Sequence, residues 1–213
     1  MKGIIGKKLG MTQVFDSETG VVTPVTVIEA GPCPVVQVKT VETDGYEAVQ
    51  LAFEPVAERK ISKPELGHLK KGGVAAHRHL VEFRGGSELV VGESVTVETF
   101  EPGDAIKVSG IGIGKGFAGT IKRHRFHRGP KSHGSHNIRQ PGSIGASATP
   151  SRVFKGIKMA GRLGGKQVTQ VGLHVHQVDR EQNLLLVKGA VPGPKNGIVE
   201  IREEKAHTRH HHH

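Results

Sequence analysis

The stretch from residue 105 to residue 178 contains no aspartate or glutamate, and this absence limits what the chain can fold into. The stretch holds 13 of the 30 lysine and arginine residues, whereas the rest of the 213-residue chain carries 17 basic and 20 acidic side chains. Positive charges without internal counter-charges repel one another unless an external partner neutralises them. The window therefore predicts a polyanionic partner, and the nearly neutral remainder predicts a separate folded domain.

The middle of this window also lacks the side chains that build a hydrophobic core. Residues 127–156 read HRGPKSHGSHNIRQPGSIGASATPSRVFKG, in which glycine, serine and basic residues predominate. A segment of this kind buries too little apolar surface to offset the entropy of ordering, so it becomes ordered on its partner. We predict that residues 105–166 form a long, irregular, basic extension.

The sequence on both sides of the window is typical of β-strands. β-Branched residues recur with period-two stretches in runs that glycine and proline interrupt. These runs are 20–31, 33–43, 46–54, 91–110, 168–178, 183–189 and 196–203. Short strands at this spacing predict an antiparallel sheet or a small barrel, so we expect a mainly β fold.

We predict one β domain built from residues 1–104 and 167–207, with the extension leaving one strand end and returning to another. Within this domain, residues 55–90 form a peripheral insertion. The letters KPELGHLKKGG indicate a short helix there, with a proline near its start and Gly72 after its end. The tail 208–213 ends in histidines and is either native or a cloning tag.

Cysteine content and hydropathy exclude several classes of protein. Cys33 is the only cysteine, which rules out an internal disulfide and a cysteine-based zinc site. The start MKGIIGKKLGMTQVF lacks the apolar core of a signal peptide, and no apolar run approaches the roughly 18 residues that cross a bilayer. We expect a soluble protein of a reducing compartment without a membrane partner.

Two motifs in the window suggest small ligands, but their surroundings do not support either. Residues 114–119 match the glycine pattern of dinucleotide sites, yet the next carboxylate is Asp179, whereas that site needs one about 20 residues on. Four imidazoles have a spacing that zinc accepts: His124, His127, His133 and His136. Arginines and lysines crowd them, and these would repel a dication. We predict no cofactor, no metal, no small-molecule substrate and no enzymatic activity.

The basic residues are spread along the whole extension. We predict RNA-binding roles for Lys115, Lys122, Arg123, Arg125, Arg128, Lys131, Arg139, Arg152, Lys155, Lys158, Arg162 and Lys166. Cations distributed in this way suit an arm that threads between many phosphates better than one recognition helix in a groove. Phe117, Phe126 and Phe154 are either stacking surfaces for unpaired bases or local packing anchors.

Several uncommon sequence motifs resemble those of the bacterial large-subunit ribosomal protein L3 family. They include KGIIGKKLGMTQVF near the start, GKGFAGTIKRH and PGSIGASATPSRVFKGIKMAGRLGG in the extension, and NLLLVKGAVPGPKNGIVEIR near the end. The resemblance covers residues 2–203 in order. The resemblance is most specific in the PGSIG and RVFKG motifs, which have the same spacing in this chain as in the family.

The resemblance implies a translation-protein-type β-barrel whose extension penetrates the large-subunit rRNA and ends close to the peptidyl transferase centre. It also implies a role in nucleating subunit assembly, neighbouring large-subunit ribosomal proteins as partners, and a place in cytoplasmic ribosomes. Arg152, Lys155, Lys158 and Arg162 would line the returning arm. The tip nearest the peptidyl transferase centre would comprise Gly142, Ser143, Ile144, Gly145, Ala146, Ser147, Ala148 and Thr149.

One alternative stays open at the level of the residues. A basic arm on a β-barrel also suits a free RNA-binding protein or RNA chaperone that works off the ribosome. Stoichiometric presence in purified large subunits separates the two.

Overall fold

The computed structural model of the chain describes residues 2–16, 20–85 and 89–204. The predicted mainly β fold is confirmed. The strands are β1 (Gly3–Phe15), β2 (Val22–Ala30), β3 (Cys33–Lys39), β4 (Ala48–Pro55), β5 (His77–Arg84), β6 (Ser94–Val95), β7 (Ala105–Ile111), β8 (Phe117–Ala118), β9 (Gly161–Arg162), β10 (Gln167–Asp179), β11 (Leu184–Lys188) and β12 (Ile198–Glu203). The helices are α1 (Val41–Asp44), α2 (Lys63–Lys71) and α3 (Thr120–His124). The end of the predicted β domain at 205–207 and the tail 208–213 lie outside the described residues.

Six strands close into a barrel in the order β1, β12, β7, β10, β11, β2, with every neighbouring pair antiparallel. Successive side chains of a strand point to opposite faces, which explains the period of two in the sequence. In β12, for example, Val199 and Ile201 are buried while their neighbours are only half-buried. The closed barrel leaves none of these strands with an unpaired edge.

A second sheet, in the order β5, β4, β3, β6, contains strands that the sequence analysis placed in the main β domain. Gly31 has a φ of +79° and turns the chain immediately after β2, a conformation that suits glycine. Strand β4 pairs with β3 on one side and with β5 on the other. The second sheet therefore begins at Cys33, well before the predicted insertion at 55–90. Its core is continuous with that of the barrel: Phe83 packs against Gly3 of β1.

The predicted short helix is α2, and its ends follow from local chemistry. Ser62 precedes the helix, and its backbone N–H and hydroxyl both donate to the Glu65 carboxylate, at 3.4 and 2.7 Å. The bond from the Ser62 backbone N–H to the Glu65 side chain is one half of a capping box, and it satisfies a donor just before the first turn. Leu69 is the buried residue that attaches the helix to the sheet. No helix in the described ranges is long and apolar enough to span a bilayer.

The described chain divides into two compact units, one that ends at Gly112 and resumes at Gln167, and a second that comprises Ile113–Lys166. The predicted start of the extension, residue 105, falls inside the barrel strand β7. The first seven residues of the predicted extension are therefore part of the barrel, because they pair with β10 and β12. Ile111 lies opposite Gln167 in that ladder, so the residues flanking the second unit are themselves paired.

Candidate nucleic-acid interface

The base of the second unit is a two-stranded ribbon. Phe117 pairs with Arg162 and Ala118 with Gly161, so β8 on the outgoing arm lies antiparallel to β9 on the returning arm. Two further backbone bonds extend the ribbon. The Lys115 N–H donates to the Leu163 carbonyl at 2.8 Å, and the Leu163 N–H donates to the Gly116 carbonyl at 2.9 Å. The arms are thus held side by side where the extension begins.

Helix α3 joins the outgoing arm to the returning arm through one carbonyl. Nη1 of Arg123 donates to the Met159 carbonyl at 2.7 Å, and Nε2 of His124 lies 3.0 Å from the same oxygen. A Cβ on Gly161 would lie 2.7 Å from Nη1 of Arg123, so the glycine leaves room for the guanidinium. Part of the hydrogen-bonding capacity of Arg123 is therefore used within the protein.

Beyond the helix, a second closure holds the outgoing arm. The Gly129 N–H donates to the Ile138 carbonyl at 3.0 Å. A Cβ at Gly129 would lie only 1.9 Å from the carbonyl oxygen of Asn137, so no other residue fits there without moving the backbone. From residue 139 to residue 160 every residue is exposed, including Ile144 and Phe154. Side chains of this kind are normally covered in a folded protein.

Eleven of the twelve predicted RNA-binding cations are exposed, and Arg123 is half-buried. The unit contains no carboxylate, so these cations have no counter-charge within it. The guanidinium of Arg152 lies 5.4 Å from the ring centroid of Phe154, which is a cation–π contact. The structure thus leaves eleven of the twelve predicted residues open to solvent along the second unit.

The predicted tip is exposed throughout and is shaped by short local hydrogen bonds. Gly142 has a φ of +82°, which glycine adopts without strain. The Ser143 hydroxyl donates to the Gly145 carbonyl at 3.0 Å, and the Ser151 hydroxyl donates to the Ala148 carbonyl. Small side chains let the backbone itself form the surface, which suits close approach to a partner.

The four spaced histidines do not come together. Among the described residues, no group of three or more histidine, cysteine or acidic side chains is arranged to hold a metal ion. His124 instead bonds to the Met159 carbonyl, and its ring centroid lies 6.0 Å from that of Phe126. The structure therefore gives this histidine an internal, structural contact.

Sequence reasoning missed the pairing of the two arms and treated the three phenylalanines as equivalent. Phe126 is half-buried against His124, Phe154 is 52% exposed beneath a guanidinium, and Phe117 is 81% exposed on the ribbon. The glycine-rich segments near both ends of the extension were the sequence feature that could have indicated the pairing of β8 with β9. Glycines allow two backbones to approach closely, but they do not identify which residues pair.

Comparisons with known proteins agree with the resemblance. The family model described as ribosomal protein L3 matches residues 71–183. A "large ribosomal subunit protein uL3" from Gloeothece citriformis is 53% identical over 205 residues, which cover 95% of this chain and 97% of the relative. Proteins of the same name from Acidothermus cellulolyticus (55% identical, 95% and 92% covered) and Streptomyces coelicolor (54% identical, 95% and 95% covered) are equally similar.

Proposed function

The chain belongs to the ribosomal protein L3 family, and on that premise we propose that residues 113–166 bind the RNA of the large ribosomal subunit. The family membership predicted from the sequence is confirmed. The protein is a structural constituent of the large subunit and not an enzyme. RNA binding by the extension, the position of its tip and its role in assembly go beyond that statement and are our proposals.

One observation carries the proposal: residues 139–160 are exposed without interruption inside a window that has no carboxylate. Exposed valine, isoleucine and phenylalanine side chains favour a partner that removes water from them. Exposed cations without carboxylates favour a partner that brings regularly spaced negative charge. RNA with unpaired regions offers both, through base faces and phosphates.

The test is rRNA binding over a salt series, with the intact chain compared with one in which residues 113–166 are replaced by a four-residue Gly-Ser turn. The pairing of Ile111 with Gln167 lets a short turn close the ladder without distorting the barrel. If the extension makes about 6–10 phosphate contacts, affinity should fall by about 10³–10⁵-fold between 50 and 200 mM salt. The shortened chain should lose most of this dependence. Equal affinity and an equal salt slope would instead identify the barrel as the main binder.

A pair of triple variants provides a matched control for net charge. The first replaces Arg152, Lys155 and Lys158 with glutamine, and the second replaces Lys60, Lys63 and Lys71 in the other unit; all six residues are exposed. Each lost phosphate contact should reduce the salt slope by about 1, so the first variant should lose about 3. The second should change little. Equal losses would show that only net charge matters.

We further propose that the tip, residues 142–149, lies close to the peptidyl transferase centre, on the strength of the family resemblance and the exposed small side chains. A cysteine at Ser147 can carry an iron chelate that cleaves nearby RNA. Burial raises the pKa of the native Cys33 thiol to about 12, so that thiol stays unlabelled and the unmodified chain is the control. In assembled subunits we expect cleavage around the peptidyl transferase centre. Cleavage confined to other rRNA regions would contradict this position.

We propose that the protein binds rRNA early, helps nucleate the large subunit, contacts neighbouring large-subunit proteins and acts in cytoplasmic ribosomes. Reconstitution without this protein should stop at an early particle that lacks other proteins. Full subunit formation in its absence would refute the assembly role.

A further inference from the structure

Phe117 has the largest exposed fraction, 81%, of the exposed large hydrophobic side chains in the described residues. We propose that its ring is a stacking platform for an unpaired RNA base. The inference rests on the proposed function, which it deepens: it names one residue that recognises a base face rather than a phosphate. Base–aromatic stacking accepts every base because each has a π face.

The backbone beneath the ring is held from both sides. Phe117 lies in β8, paired with Arg162 of β9, and the bonds between Lys115 and Leu163 and between Leu163 and Gly116 continue the ribbon. The next residue, Ala118, is 4% exposed, so alternation along the strand buries one side chain and presents the other. The backbone is therefore already ordered, and only the side-chain torsions of Phe117 lose freedom when a base stacks on the ring.

The charges around the ring favour a nucleotide as its occupant. Arg162 lies directly across the ribbon, and Lys115 is two residues away; both side chains are exposed. A Cβ on Gly165 would lie 2.9 Å from Nη2 of Arg162, so the guanidinium packs against a glycine and stays beside the ribbon. A nucleotide presents a flat apolar face and a phosphate together. An apolar protein partner would also have to supply carboxylates for these cations.

The other two aromatic rings of the extension have internal partners. Phe126 packs near His124, with the centroids 6.0 Å apart, and Phe154 has the Arg152 guanidinium 5.4 Å from its centroid. Within the described ranges, neither a ring pair nor a cation–π contact involves Phe117. Because 81% of this side chain is exposed, most of the ring is available to a base.

The experiment compares full-length chains that carry Phe117→Leu or Phe117→Tyr with the wild type. A third variant, Phe15→Leu, is the matched control, because Phe15 is 64% exposed but lies in the barrel unit. The probes are full-length large-subunit rRNA, a 12-nucleotide single-stranded RNA and a 12-base-pair RNA duplex. Phe117→Leu should weaken single-strand binding by about 5- to 150-fold, the usual effect of losing a stacked ring, and leave duplex binding unchanged. Phe117→Tyr should bind like the wild type, and the salt slope should not change, because no cation is lost.

The outcomes separate this inference from the function on which it rests. If the wild type shows no salt-dependent binding to the rRNA, the proposed function fails and the inference fails with it. If the wild type binds but Phe117→Leu matches it on every probe, only the inference is overturned. Equal losses for Phe117→Leu and Phe15→Leu, or for single strand and duplex, also overturn it. So does unchanged RNA affinity combined with subunits that lose a neighbouring protein, because the occupant of the ring is then a protein.

Discussion

Alanine at Gly3 should lower the free energy of unfolding, because the ring of Phe83 occupies the space that a side chain at this position needs. A Cβ built on Gly3 would lie 2.5 Å from Cδ1 and 2.9 Å from Cε1 of Phe83. The ring is 1% exposed, and the guanidinium of Arg202 covers it at 4.8 Å from the centroid. The ring is therefore enclosed, and a methyl group at Gly3 would have to displace it.

The size of the effect follows from two opposing contributions. Overpacking a closed core costs about 1–3 kcal/mol. Replacing glycine with alanine inside a strand otherwise stabilises by about 0.5–1 kcal/mol. Since two ring atoms overlap the new methyl group, we expect a net loss of about 1–2 kcal/mol for Gly3→Ala in the wild-type background.

The diagnostic result is a change of sign in a second background. Phe83→Ala alone should cost about 3–5 kcal/mol through lost burial and the cavity that it leaves. In that background the clash is absent, so Gly3→Ala should stabilise the protein by about 0.5–1 kcal/mol. Urea unfolding of the four proteins, followed by far-UV circular dichroism, measures the double-mutant cycle. An effect of Gly3→Ala that is equal in both backgrounds, within about 0.5 kcal/mol, would refute the packing argument.

Three further predictions concern the barrel unit. Thr26 is fully buried and its hydroxyl donates to the Gly189 carbonyl at 2.6 Å, so Thr26→Val should lower the urea-unfolding free energy by about 1–3 kcal/mol; an unchanged midpoint would contradict this. A hydrogen bond from Lys39 lowers the pKa of Glu82, so the folded state binds fewer protons there than the unfolded state. Wild type should exceed Glu82→Gln in stability by about 0.2–1 kcal/mol at pH 7, and the difference should disappear as pH falls below the ordinary glutamate value of about 4.3. The Cys33 thiol, with a pKa raised to about 12 by burial, should react with a disulfide reagent on the order of 10³-fold more slowly in the folded protein than in urea; equal rates would refute its burial.

Some strand assignments from the sequence were wrong because local patterns do not register tertiary competition. The run 33–43 reads as one strand, but β3 ends at Lys39 and residues Val41–Asp44 form a short helix that ends at Gly45, with a φ of +79°. The run at 91–110 contains only a two-residue strand before β7, and Val97–Thr99 is a 3-10 turn. Strand β5 lies in the predicted peripheral insertion and was not predicted as a strand. Its extended conformation depends on pairing with β4, which a local pattern does not show.

The sequence alone was sufficient for the properties that add up along the chain. Four such properties are local: the absence of carboxylates from 105 to 178, the twelve distributed cations, the period of two in the strands, and the proline and glycine at the two ends of α2. Charge and amphipathic period belong to each segment of the sequence, so they can be determined without knowing which segments pair. The motifs that resemble the L3 family are equally local. They indicated the mainly β fold and the ribosomal identity before any strand pairing was known.

Only the tertiary structure decided which residues meet. It joined β8 to β9 across most of the extension, brought Arg123 and His124 to one carbonyl, and placed β3 and β4 in a sheet outside the barrel. It also separated Phe117 from Phe126, two rings that look alike in sequence. The physical reason is that exposure and hydrogen-bond partners depend on segments distant in sequence, whereas charge and strand period belong to each segment itself.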